Sequence, residues 1–177
     1  MPFQSRKDQF HLPTGMIYLD GNSLGPLPRA AADRVSRTML DEWGDMLITG
    51  WNRAGWMAQP MAIGDRIGRL IGAKAGQVAV GDTLSIKVFQ ALAAALAMTD
   101  RKVILSDSGN FPSDLYIAQG LIRAFGHDLE LRVVAPEDVA ANITSDVAVL
   151  MLTQVDYRTG RLHDMAALTA QAHAAGV

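Results

Sequence analysis

The spacing of apolar positions changes rhythm near residue 77 of this chain. Before that point, helix-like stretches are broken by turns. After it, short apolar runs alternate with stretches of helical period. The run MIYL at 16–19 predicts a short strand, followed by the glycine-bounded turn DGNSLG. Pro26 and Pro28 then open a long helix through AAADRVSRTMLDEW, since proline is tolerated in a first turn. Residues 47–56 (LITGWNRAGW) lose periodicity and read as loop. Residues 61–71 return to helical spacing, which Gly72 ends. The alternating part follows, with strands expected at 78–80, 102–106, 129–135 and 147–152. Helices are expected at 85–98, 113–125, 136–143 and 165–175, the last capped by Gly176.

Strands alternating with helices imply an α/β fold in which a parallel sheet carries helices on its faces. The organisation expected is an N-terminal, substrate-side arm over 1–60, then the first part of a larger domain over 61–177. A buried strand should follow the last helix of such a pattern. The chain ends at Val177 instead, so it reads as a domain cut part-way.

Composition narrows the function classes. Net charge is −2, without the basic stripe that nucleic-acid binding requires. No apolar run reaches the ~18–20 residues of a membrane span. The opening MPFQSRKDQFHLPTG holds no apolar h-region, so neither a secretory signal nor a membrane partner is expected. The absence of cysteine excludes disulfides, a thiolate nucleophile and cysteine-based zinc sites. His11, His127, His163 and His173 are scattered, and the last two are not an i, i+4 pair. No metal site is expected. The glycine-rich dinucleotide motif, the P-loop, HExxH and GxSxG are all absent.

Ligands of open α/β sheets bind at the carboxyl ends of strands, beside helix N-termini whose free N–H groups favour anions. Three such ends are polar here. In Gly81-Asp82-Thr83-Leu84-Ser85, hydroxyl residues at a helix start suit a phosphate, although an N-cap is the plainer reading. In the second, spanning 106–114, Phe111 is an aromatic in a polar loop on which a planar ligand could stack. The alternatives are a hydrophobic staple for Phe111 and a first-turn carboxylate for Asp114. In the third, spanning 152–160, Thr153 sits where a strand emerges and Arg158 could clasp a carboxylate or phosphate.

Taken in order, YLDGNSLGPLP, EWG at 42–44, GWNRAGW at 50–56, DTLSIK, NFPSDLY at 110–116 and TQVDYRTGRLHDM resemble successive landmarks of bacterial kynureninases. YLDGNSLG and NFPSDLY are the specific ones, and the resemblance covers nearly the whole chain. It implies the aspartate-aminotransferase-like (fold type I) large domain of pyridoxal 5'-phosphate (PLP) enzymes, here incomplete. The implied activity is hydrolysis of L-kynurenine, or 3-hydroxykynurenine, to an anthranilate and L-alanine, by a cytoplasmic homodimer. By the same resemblance, Leu84 and Ser85 hold the cofactor's phosphate and Phe111 stacks on its ring. Pro112, Ser113 and Asp114 complete that loop, and Thr153 places a hydroxyl nearby. Ser23 and Trp51 face the substrate.

Two local departures accompany the match: Lys87 stands where an asparagine is usual, and QVDYRTG stands where many relatives read HVNYKTG. None of Lys7, Lys74, Lys87 and Lys102 has the context of the family's catalytic lysine, which is expected further on, with the small C-terminal domain. The chain alone is therefore expected to be inactive and to need that remaining part as a partner. Cysteine desulfurases and related lyases are a second reading, but they carry histidine where Phe111 stands. A short non-catalytic paralogue that binds a partner is a third.

Overall fold

The computed structural model describes residues 4–125 and 128–177, so His127 lies outside the described residues. The chain divides into two compact units, Met1–Val80 and Gly81–Val177.

In the first unit, β1 (Phe10–His11) pairs antiparallel with β2 (Leu27–Pro28). Pro28 then serves as N-cap for α1 (Arg29–Arg37). The helix continues through a π-helical stretch, Thr38–Gly44. Residues 47–58 are not the expected loop. They fold as a 3-10 turn (Leu47–Thr49), the short α2 (Gly50–Arg53) and a second 3-10 turn (Trp56–Ala58). Hydrogen bonding accounts for much of this. Glu42 takes a bond from Arg34 Nη1 at 2.6 Å and another from Trp56 Nε1 at 2.8 Å, drawing the two halves together.

Helix α3 (Gln59–Ile71) ends as expected at Gly72, whose φ of 76° is left-handed. The strands expected at 16–19 and 78–80 are absent. Among the described residues, the first run has no neighbouring strand to complete its backbone hydrogen bonds. The second lies along α3 instead: the Val80 N–H donates to Pro60 O at 3.1 Å. A Cβ on Gly64 would fall 1.8 Å from Val78 O, so helix and backbone approach through a position only glycine fits.

The second unit follows the predicted alternation except at 136–143, where two 3-10 turns stand in place of the expected helix. It runs α4 (Leu84–Leu96), β3 (Val103–Asp107), α5 (Pro112–Phe125), β4 (Glu130–Val134), 3-10 turns at Pro136–Asp138 and Ala140–Asn142, β5 (Val147–Leu150) and α6 (Met165–Ala174). The three strands form a parallel sheet in the order β4-β3-β5. Every residue of the central strand β3 is buried, as expected of a strand covered on both faces.

Its alternating side chains feed two cores. Val103 and Leu105 pack with Val139, Ile143, Val147, Leu168 and Ala172. Ile104 packs with Leu92, Ala118 and Leu121. Helices α4 and α5 therefore cover one face, and α6 with the turns before it covers the other. Arg101 ties the lower end together by donating to Val147 O and to Ala175 O at the C-terminus of α6. Among the described residues, no helix is long and apolar enough to cross a membrane.

Candidate functional site

The carboxyl ends of β3 and β5 open onto a cleft of about 170 Å³ within the second unit. Leu84, Phe111, Asp114 and Thr153 line it, together with Asp107, Gly109, Asn110, Val155, Asp156, Tyr157, Arg161 and His163.

The loop after β3 is pinned by its own side chains. The Asp107 carboxylate takes the Gly109 N–H on Oδ1 at 2.6 Å. Asn110 is 5% exposed and bonds through both ends of its amide. Its Oδ1 accepts from the Phe111 N–H at 2.8 Å and from the Thr153 hydroxyl at 2.7 Å, and its Nδ2 donates to Ser106 Oγ at 3.1 Å. Ser106 Oγ donates in turn to Met151 O. Thr153 and Phe111 are thus joined across the sheet end by one amide.

Phe111 is 47% exposed and is the last residue before α5, which Pro112 opens. The two halves of the Asp114 environment come from its own loop: its N–H donates to Phe111 O at 3.0 Å, and its carboxylate accepts from Ser113 Oγ at 3.3 Å. Asp114 is buried, yet it remains part of the cleft wall.

At the cleft's other side, α4 begins at Leu84. The N-cap residue is Thr83, and its side chain makes no capping bond. Thr83 thus takes the N-cap position that the local reading allowed, but it leaves the first-turn N–H groups without a side-chain acceptor, and they keep the character of an anion site. Ser85 is half-buried and has no side-chain hydrogen bond among the described residues. Lys87 reaches Gln90 Oε1 at 2.9 Å.

Residues 154–163 form a hairpin held by the bridge Val155↔Leu162, with the Asp156 N–H donating to Arg161 O and the His163 N–H to Gln154 O. Asp156 is buried inside its turn. The backbone N–H groups of Thr159 and Arg158 bind its Oδ1 at 2.8 and 2.9 Å and hold its carboxyl below the ordinary carboxylate range. Arg158 is not aimed into the cleft as a clamp. Its guanidinium lies 5.4 Å from the Tyr157 ring centroid and 3.9 Å from Asp156 Oδ2, with more than half its side chain exposed. Tyr157 meets Phe111 edge-on, ring centroids 4.9 Å apart.

The main feature missed from sequence is the pair of Asp107 and His163, whose Oδ2 and Nε2 lie 2.8 Å apart. Their side chains are 3% and 6% exposed. A search for histidine pairs by helical spacing passes over it. The usable signal was the turn Arg158-Thr159-Gly160, which folds the chain back and returns residue 163 to the sheet end.

Ser23 and Trp51 belong to the first unit. Ser23 lies in the turn closed by its own N–H and that of Leu24 on Asp20 O. Trp51 is about half exposed and meets Trp56 edge-on at 5.9 Å.

A three-layer α/β unit with its cleft at the strands' carboxyl ends is consistent with part of the large domain of fold type I PLP-dependent enzymes. No protein-family model matches the chain. Curated relatives do. Kynureninase from Deinococcus radiodurans is 49% identical over 181 aligned residues, covering 99% of this chain and 44% of the relative. Kynureninase from Burkholderia pseudomallei (strain K96243) is 50% identical and that from Burkholderia mallei (strain SAVP1) 49%, with the same coverage. At that identity across its length, the chain belongs to the kynureninase family. It spans less than half the length of the curated relatives it matches.

Proposed function

We propose that this chain forms the cofactor-cradling part of a PLP-dependent kynureninase, which hydrolyses L-kynurenine to anthranilate and L-alanine. One observation carries the reading. Four of the seven residues that the resemblance assigns to the cofactor, Leu84, Phe111, Asp114 and Thr153, line one cleft, and Ser85, Pro112 and Ser113 adjoin them in sequence.

The residues fit the group. A helix start without a side-chain cap suits a phosphate dianion, and Leu84 and Ser85 provide it. The half-exposed Phe111 ring suits a flat heteroaromatic ring. When bound, PLP supplies an electron sink for cleavage next to the substrate's amino-bearing carbon. The chain's own part is to bind and orient. Phe111 sets the plane of the ring, the α4 N-terminus fixes its phosphate end, and Asp114 and Thr153 offer polar contacts along the cleft wall. Ser23 and Trp51 act on the substrate side, the tryptophan beside its aniline ring.

On this reading the lysine that anchors the cofactor and the acid that pairs with its ring nitrogen come from residues outside the matched stretch. The working protein is a cytoplasmic homodimer, and either L-kynurenine or 3-hydroxykynurenine is its substrate.

The test is titration of the full-length protein with PLP, followed by anthranilate fluorescence on adding L-kynurenine. Saturable binding and product release are expected, with Phe111→Ala weakening PLP affinity by about three- to tenfold, the scale of one aromatic contact. A wild-type protein that neither binds PLP nor releases anthranilate overturns the reading.

A further inference from the structure

Three features converge on Phe111 without belonging to the cofactor residues assigned above. The first is the buried pair of Asp107 and His163, which joins the end of β3 to the end of the 154–163 hairpin across 56 positions of sequence. A carboxylate only accepts, so the shared hydrogen resides on His163 Nε2. The second is Gly109, where the loop passes between two carboxylates. A Cβ there would sit 2.7 Å from Asp156 Oδ2 and 2.9 Å from Asp107 Oδ1. Loop and hairpin are therefore in direct contact, with no room for a side chain between them. The third is Tyr157 at the hairpin's turn, whose ring meets the Phe111 ring edge-on. The Arg161 guanidinium lies 3.4 Å from the same His163 Nε2, which cannot accept from it while donating to Asp107, so Arg161 stands beside the seam without bonding into it.

We propose that Asp107 and His163 are positioning residues that clasp the hairpin to the β3 loop, so that Tyr157 fixes the orientation of the Phe111 ring. The physical reason is leverage. Phe111 follows a loop pinned at its backbone by Asp107 and Asn110, but half its ring is open to the cleft and free to turn about its side-chain bonds. The edge contact from Tyr157 blocks that turning. Tyr157 is itself 53% exposed, so the hairpin must be held from its other end. His163 is at that end, and its partner Asp107 also binds the loop that carries Phe111. One carboxylate thereby sets both sides of the aromatic contact. The consequence for the cofactor rests on the PLP reading above, whereas the clasp itself does not.

The experiment separates the two. In the 177-residue chain without cofactor, aromatic NMR should show a nuclear Overhauser effect between the Phe111 and Tyr157 rings. His163→Phe, which has no hydrogen to donate, should abolish it. His163→Gln, which can still donate to Asp107, should keep it. Tyr157→Leu alters only an exposed ring, and it should free Phe111, seen as a shift of its ring resonances, with the unfolding midpoint unchanged. Arg132→Gln, which breaks a surface ion network, serves as control and should change neither.

In the full-length protein, His163→Phe and Tyr157→Leu should each weaken PLP affinity about three- to tenfold and change the circular dichroism of the bound cofactor. His163→Gln should behave as the wild type in both. An Overhauser effect that survives in folded His163→Phe, or Phe111 resonances unmoved in Tyr157→Leu, overturns the clasp. If the effect vanishes as expected and the wild-type protein binds no PLP, the clasp stands and the cofactor reading falls.

Discussion

The two units of this chain hold their shapes by different means. Gly81–Val177 is built around a central strand with every residue buried and a hydrophobic core on each face. In Met1–Val80 the buried residues among those described are three glycines, Gly50, Gly64 and Gly68. Its large apolar side chains, Leu19, Leu40 and Leu70 among them, are exposed. Its order comes from close backbone approach at Gly64 and from the Arg34–Glu42–Trp56 hydrogen bonds. Truncating one side chain in a packed core costs much energy but leaves the surrounding shape in place. A structure made of a few specific contacts depends on each of them.

The largest effect should come from the core. Leu105→Ala, at a position with no exposure, is expected to destabilise the second unit by about 2–5 kcal/mol. Leu40→Ala, at a residue 67% exposed, should stay within about 0.5 kcal/mol. All three tryptophans lie in the first unit, so tryptophan fluorescence follows that unit while far-UV circular dichroism sees both. Leu105→Ala should therefore move the dichroism transition in urea far more than the fluorescence one. Equal shifts would mean that the two units unfold as one.

Next come the glycines. Gly64→Ala must push the Val78 carbonyl aside and should cost about 1–3 kcal/mol, read as a lower fluorescence midpoint. Gly120→Ala, within α5 and with nothing close to a new methyl group, should stabilise by about 0.5–1 kcal/mol through helix propensity. The same substitution thus has opposite signs in the two units, and like signs would break the comparison.

The smallest effects are in acid. Glu42 is held below its ordinary value chiefly by its hydrogen bond from Arg34 and then by that from Trp56. Asp156 is held down chiefly by the backbone N–H groups of Thr159 and Arg158. Both are carboxyls with depressed folded values. Each therefore contributes stability above its unfolded pKa and loses it as pH falls through the folded one. The difference is in what removes the effect. Arg34→Gln should let Glu42 return towards its ordinary value, whereas Arg158→Gln should leave Asp156 depressed, because the backbone donors remain. Carboxyl NMR titration of both variants reads this directly, and an Asp156 that relaxes fully in Arg158→Gln would contradict the turn geometry.

How much was legible beforehand follows the same division. From residue 84 onward the alternation of strand and helix was readable to within a residue or two at most ends, because a buried sheet imposes its period on the sequence. The cleft was readable in part. Phe111 and Thr153 stood out at strand and helix ends, where chemistry collects in such folds, and the family resemblance added Leu84 and Asp114. The apolar runs at 16–19 and 78–80 misled, since a strand is defined by a partner that local pattern does not reveal.

By itself, then, the order of residues determined the α/β class, the cap at Gly72, the family and the loop that carries Phe111. Periodicity, turn chemistry and contiguous motifs are all written within a few residues of one another. Only the tertiary structure decided that Asp107 meets His163, that Gly109 threads two carboxylates and that Tyr157 abuts Phe111. Those contacts join residues as many as 56 positions apart, and nothing local records them. Their partners are chosen by how the hairpin folds back on the sheet end.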